Sequence, residues 1–336
     1  MLLALFLART VNLREIAIYF QSTAQIDSRY KRCKRFFAQF SIDFDTLARW
    51  AFQLYSFETR KYYLTIDRTN WFRGKSKINI LTLGIAHEGA AISVLWRLLD
   101  KAGNATAAEH QEIIAHFTQL FGKKGIVGVL ADRKFASGAL FRWLNKQKIP
   151  FYIRIKEGSS LKIRKTKICS AEQFFHDLRP KTQKIYDMAI ELYGQKVYVA
   201  GSRSEKGELM IVATNRDPRN AIYSYLRRWE IETLFGCLKS KGFRFEETHM
   251  TNQERLSKLM ALLVVGFCWA HKIGECRAIQ NPIQWNQYSD SRRPQFSYFR
   301  YGLDQIRSIL ANIITQFEQF LLILVQLLPH KTATPP

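Results

Sequence analysis

The residues best equipped for chemistry in this chain are three carboxylates and a short run of cationic and aromatic side chains. Asp67 and Asp132 each close a short apolar run, YYLTID and IVGVLAD, and each is followed directly by arginine. Glu232 lies in the stretch DPRNAIYSYLRRWEIETLFGCLKSKG, from Asp217 to Gly242. Read as one helix, this stretch has Asp217 as N-cap, Pro218 in the first turn and Gly242 just past the end. At about 100° per residue, Tyr225, Arg228, Trp229, Glu232 and Lys239 share a stripe roughly 100° wide. Ile231, Leu234 and Leu238 lie opposite, where a core would take them. Glu230 falls off the stripe, so helical geometry selects Glu232 as the acid on the polar face.

Three carboxylates at one site repel unless a cation sits among them. Hard divalent ions such as Mg²⁺ take oxygen ligands of this kind and keep positions open for water and phosphate. Two such ions about 4 Å apart serve in-line displacement at phosphorus. Lys239 and the planar fork of Arg228 would meet a phosphate backbone. Asn70, Trp71, Arg73, Lys75 and Lys77, which follow the first aspartate, mix polar, aromatic and basic side chains and are expected to hold a DNA end. Neither Arg68 nor Arg133 is assigned a catalytic part, and His87, beside a turn, is expected to be structural.

Composition points the same way. The 336 residues include 51 Lys and Arg against 28 Asp and Glu, a formal charge of +23. Such an excess favours a polyanionic partner, of which nucleic acid is the commonest. The apolar runs Leu259 to Ala270 and Phe320 to Leu328 are too short to span a bilayer, and no membrane partner is expected. The N-terminal MLLALFLARTV lacks a positive leading region and a cleavage site, so it reads as a first helix and not as a signal peptide. The five cysteines show no C-x-x-C spacing, which argues for reduced thiols in the cytoplasm and against zinc. No glycine-rich phosphate loop or G-x-S-x-G frame is present, so a nucleotide-driven motor and a serine hydrolase are not expected.

The elements that must position the carboxylates follow from periodicity. Residues 1–58 read as a helical DNA-binding region, with Asn12 capping one helix and Asp27-Ser28 opening another. Between Arg29 and Arg35 five of seven residues are basic. From Lys61 the period shortens to that of strands. Three strands in a meander, with the first ending on Asp67, lead to a helix (Asn104 to Phe121) and a strand ending on Asp132. A helix (Ser137 to Lys146) and a fifth strand follow. This order is that of a ribonuclease H-like mixed α/β core, occupying residues 59–156. Residues 157–215 read as a β-rich insertion with turns at Gly194 and Gly207. Residues 216–250 complete the core with the Glu232 helix. Residues 251–336 read as a helical C-terminal region available for dimerisation: a helix from Asn252 to Gly274, a last helix from about Tyr301 to Leu328, and a loose tail, HKTATPP.

Tyr225-x2-Arg228-x3-Glu232-x6-Lys239, together with DRTNW at Asp67 and LADRKF at Asp132, resembles the Y-R-E-K pattern of bacterial insertion-sequence transposases of the DDE class, family four, in their cut-and-paste branch. The resemblance implies that Asp67, Asp132 and Glu232 hold two Mg²⁺ or Mn²⁺ ions. It implies that Tyr225, Arg228 and Lys239 grip DNA near the transferred strand end, and that Trp229 stacks a flipped base. Nicking, hairpin formation and opening, and strand transfer are then the expected steps. The implied partners are double-stranded DNA, both terminal inverted repeats and target, and a second copy of the chain in a synaptic homodimer. A metal-dependent nuclease of the same fold, or a catalytically silent DNA-binding repressor derived from a transposase, stand as the alternatives.

Overall fold

The computed structural model describes residues 1–101, 103–163, 167–287 and 292–329. Phe57–Thr69 and Asn79–Glu232 make one compact unit, and Met1–Ser56, Asn70–Ile78 and Thr233–Pro336 make another. The chain opens with α1 (Leu2–Ala8), α2 (Leu13–Ile18), α3 (Ile26–Gln39) and α4 (Phe44–Leu54). The Asn12 side chain caps α2 by accepting from the Arg14 amide, and Asp43 caps α4. The α3 helix starts at Ile26, one residue before Asp27.

The sheet unit runs β1 (Tyr62–Arg73), β2 (Ser76–His87), β3 (Ala90–Leu98), α5 (Ala107–Phe121), β4 (Ile126–Ala131), α6 (Gly138–Lys146) and β5 (Phe151–Arg154). After these come β6 (Ser160–Lys162), β7 (Ile168–Ser170), α7 (Ala171–Phe174), β8 (Gln183–Leu192), β9 (Gln195–Arg203) and β10 (Leu209–Thr214). The strands join in one sheet in the order β3-β2-β1-β4-β5-β10-β9-β8-β6-β7. The β1, β4 and β5 strands are mutually parallel, and β2 with β3 and β10 with β5 are antiparallel. Three strands, a helix, a strand, a helix and a strand, with spatial order 3-2-1-4-5, is the ribonuclease H-like arrangement. Strands β8 to β10 extend the same sheet beyond β5, turning through Gly194 and Gly207, both at positive φ.

Strand alternation assigns the two faces of this sheet. Tyr62 of β1 meets Phe117 of α5, and Phe151 of β5 stacks on Phe141 of α6 at 4.6 Å. The opposite face carries Leu130, Tyr152, Ala200 and Val212, packed against Ala221, Ile222 and Tyr225. Those last three belong to α8 (Ala221–Leu226), which is followed by α9 (Trp229–Leu238).

The Asp217–Gly242 stretch is therefore not one helix. A 3₁₀ turn at Pro218–Asn220 leads into α8, and the chain breaks at Arg227 and Arg228 before α9. There the Arg228 amide bonds to the Tyr225 carbonyl and the Ile231 amide to the Arg228 carbonyl, both three residues back. The two arginines also leave in different directions, Arg227 to the Ala86 carbonyl and Arg228 to the carboxylates. A second expectation also changes. β1 does not end on Asp67 but continues to Arg73, because β2 still pairs with it after β4 has stopped at Ala131. The expected loop after Asp67 is thus a hairpin, turning at Gly74 in the left-handed region (φ 55°), where glycine carries no Cβ penalty.

The second unit continues with α10 (Gln253–Gln280), β11 (Trp285–Gln287), β12 (Arg292–Pro294), α11 (Tyr298–Ala311) and α12 (Phe317–Val325). The single last helix expected from sequence is two helices, since Asn312 turns the chain by accepting from Thr315 and bonding back to Ser308. The expected tail from His330 onward lies outside the described residues. α10 is longer than its apolar run and is long and apolar enough to cross a membrane, yet 78% of its most apolar window is buried within the fold. It crosses α11 so closely that a Cβ at Gly302 would stand 1.8 Å from the Ala270 carbonyl oxygen.

Candidate active site

Asp67 and Asp132 are brought together by strand register. Ile66 of β1 pairs with Ala131 of β4 in parallel, so the next residue, within β1 and just past the end of β4, is in each case one of the two aspartates. Alternation sends them to the face of Tyr63, Thr65 and Leu130, the face covered by α8. The Tyr63 and Ser224 hydroxyls share a hydrogen bond of 2.9 Å, which ties α8 to β1.

Arg228 supplies the link to Glu232. Its guanidinium donates to Glu232 Oε1 at 2.7 Å and Asp67 Oδ2 at 3.4 Å, and its Nε donates to the Tyr225 hydroxyl at 3.1 Å. Arg228 is only 5% exposed, while the side chains of Asp67 and Glu232 are 20% and 40% exposed. Burial opposes the charged guanidinium, but the Tyr225, Glu232 and Asp67 oxygens prevail and raise its pKa. Burial also pushes Asp67 up to about 6. The Arg68 amide and Arg228 pull it down, and Asp132 and Glu232 add to the rise. Burial likewise raises the Tyr225 phenol, so it stays neutral at pH 7.

The neighbouring glutamate goes elsewhere. Glu230 pairs with Arg227 at 3.0 Å, and burial raises its pKa. Arg68 turns away from Asp67, its guanidinium reaching Asn79, Gly103 and Asn104. His87 is buried, with its ring edge-on to Phe57. Trp229 is 64% exposed, and the Arg228 guanidinium lies 5.3 Å from its ring centre.

Lys239, Trp71 and Asn70 belong to the other unit. Lys239 donates to Glu246 at 2.6 Å and lies 5.1 Å over the Trp71 ring, which packs edge-on against Phe245. Trp71 is only 8% exposed, whereas Asn70 is open to solvent. The helical wheel did not expose two supporting residues. Arg227 anchors the break between α8 and α9, and its only sequence signal is the Arg-Arg pair. Glu246 pairs with Lys239 from beyond the end of α9, where helical spacing no longer applies.

The donor set suits a hard divalent cation. Asp67, Asp132 and Glu232 bring three negative charges and Arg228 one positive, a deficit of 3 − 1 = 2 at a partly buried site. Burial first, and then the Asp132 and Glu232 charges, hold Asp67 near pKa 6, and a cation bound among these oxygens would favour its charged form.

The model of the family described as transposase DDE domain matches residues 67–268, more than half of the chain. The chain belongs to the DDE transposase family. The matched span contains Asp67, Asp132 and Glu232 and the Tyr225, Arg228 and Lys239 positions. No curated protein matches the chain. Among solved structures it is similar to the piggyBac transposase in a synaptic complex with hairpin DNA, with a TM-score of 0.44 at 10% identity. That match covers 84% of this chain and 61% of that one, so the chain spans less than two thirds of its length.

Proposed function

We propose that this DDE transposase catalyses metal-dependent cut-and-paste transposition of an insertion sequence, in the manner of the family-four Y-R-E-K enzymes. The observation that carries the reading is the register of β1 and β4, which sets Asp67 beside Asp132, with Arg228 linking Asp67 to Glu232. Asp67, Asp132 and Glu232 are the catalytic carboxylates and the ligands of two Mg²⁺ ions, for which Mn²⁺ can substitute. Bound there, the ions supply Lewis acidity toward the scissile phosphate.

The chain's own groups do the rest. Tyr225 orients Arg228, which holds Asp67 and Glu232 in place and presents its fork to a DNA phosphate. A base displaced from the stack rests against the exposed Trp229 side chain, the contact a tight hairpin end requires. Lys239 meets the backbone, positioned by the Trp71 ring, and Asn70 lies on the same hairpin tip. The substrates are terminal inverted repeats and target DNA, engaged by a homodimer. The N-terminal helices contribute DNA contacts and the C-terminal helices dimer contacts.

The test is incubation of the purified chain with Mg²⁺ and DNA carrying the inverted repeats that flank its coding sequence. Hairpin ends and joined products are expected. Nicked product alone would assign a nuclease, and binding without cleavage a repressor. Glu232→Gln should abolish cleavage; cleavage at the wild-type rate would refute the assignment of the carboxylates.

A further inference from the structure

A second binding feature lies outside the catalytic unit. Residues from the start of α2, from α3 and from the first turn of α10 surround a cavity of about 450 Å³, within the span of roughly 300–1,000 Å³ typical of small-molecule pockets. Its lining is chemically one-sided. Arg14, Lys34, His249 and Arg255 contribute to the wall, and no carboxylate does. Arg14 is occupied by Asp27 at 2.9 Å. Lys34 and Arg255 are exposed and form no ion pair among the described residues. Lys34 lies 5.7 Å over the Tyr30 ring, which also lines the cavity. The remaining wall is part apolar, from Val11, Phe37 and Met250, and part polar, from Asn12, Thr251 and Asn252.

Unpaired cations beside an aromatic ring and an apolar wall match one ligand chemistry: a phosphate joined to a planar heterocycle. A phosphate alone leaves the apolar wall unused, and an acidic peptide leaves the ring unstacked. The surroundings favour a polymer. Lys31, Arg32 and Arg35 on α3 are also exposed and without ion pairs among the described residues. Arg29 is different, since its guanidinium is committed to the carbonyls of Ser22 and Ala24. The α3 helix that supplies Tyr30 and Lys34 to the cavity thus carries further charge that a single nucleotide would not use, whereas a strand's neighbouring phosphates would.

We propose that this cavity receives one unstacked nucleotide of a DNA strand. Its phosphate is held by Lys34 and Arg255 and its base lies against Tyr30 and the apolar wall. The site rests on the DNA-processing reading above and adds to it a nucleotide pocket lined entirely by the other compact unit.

The experiment uses the full chain and a fluorescent single-stranded 20-mer carrying 4-thiothymidine, with a blunt duplex of the same sequence for comparison. Irradiation should crosslink the single strand to Tyr30, His249 or Met250. In anisotropy titrations, Lys34→Ala/Arg255→Ala should weaken single-strand binding at least tenfold and blunt-duplex binding less. Both side chains are exposed, and circular dichroism should show the variant folded. Crosslinks confined to other segments, or a double variant that binds the single strand within twofold of wild type, would overturn the proposal. Competition with dTMP separates the two sources of this chemistry. No displacement at millimolar dTMP supports a strand, and displacement at micromolar dTMP overturns it in favour of a free nucleotide. Glu232→Gln keeps the crosslink if the pocket is real. If cleavage of repeat DNA fails while the crosslink persists, the catalytic reading falls and the pocket stands. If cleavage succeeds without the crosslink, only the pocket falls.

Discussion

Replacing Asp67 with asparagine should stabilise the metal-free protein near neutral pH. The carboxyl is pushed from 3.8 to about 6, roughly two units, and at 1.36 kcal/mol per unit the ionised form costs about 3 kcal/mol. Its side chain is 20% exposed, so solvent relieves little of that cost. A folded pKa above the unfolded value means that the folded state holds the proton more tightly between about pH 4 and pH 6. The stability tied to that proton is fully present below pH 4 and is lost as pH rises through 6. Asparagine keeps an acceptor for the Arg68 amide, 2.7 Å away at Oδ1, gives up the long 3.4 Å bond that Oδ2 accepts from Arg228, and has no charge to bury. Urea unfolding in EDTA at pH 4, 5, 6 and 7 should therefore show the variant and wild type converging at pH 4. By pH 7 the variant should be more stable by up to ~3 kcal/mol. Saturating Mn²⁺ should shrink the gap, because an ion that binds only the folded wild type adds stability in proportion to the logarithm of its concentration over Kd. A variant less stable than wild type at pH 7, or one with an unchanged pH slope, would refute the reasoning that burial penalises the Asp67 charge.

Two further outcomes follow from the geometry. Arg228→Met removes the cation that shares Asp67 and Glu232, and opposite unit charges near 4 Å interact by about 4 kcal/mol at an effective dielectric of 20. Mn²⁺ binding followed by electron paramagnetic resonance should tighten on the order of tenfold or more; weaker binding would show that the ordering of Asp67 and Glu232 by Arg228 outweighs its competing charge. Gly302→Ala forces a methyl against the Ala270 carbonyl at the α10–α11 crossing. Separating the helices should cost about 1–3 kcal/mol, read as a lowered urea midpoint, and an unchanged midpoint would show that the crossing relaxes freely.

Much of the core was legible because its signals are local. Runs such as YYLTID, KINILTLGIA and IVGVLAD alternate or stay apolar over strand lengths, and caps at Asn12, Ser137 and Asn252 mark helix starts. The break at Arg227 and Arg228 was not legible, since nothing in the spacing of apolar residues changes there. It arises from contacts with β2 and the carboxylates, which lie far away in sequence. The extension of β1 past Asp67 was hidden for the same reason: DRTNWF reads as a loop by composition and becomes strand only because β2 pairs with it.

The sequence by itself determined the order of the three carboxylates and the meeting of Tyr225, Arg228 and Glu232. Side chains three and four residues apart meet within about one helical turn, and these two contacts survive the break. Only the tertiary structure decided that Arg228 is buried between Asp67 and Glu232, that Glu230 turns to Arg227, and that Lys239 rests on Trp71 beside Glu246. Those outcomes depend on strand register and on which element covers which face. Both are settled by pairing between segments tens of residues apart, where burial and charge compensation, and not helical spacing, choose the partner.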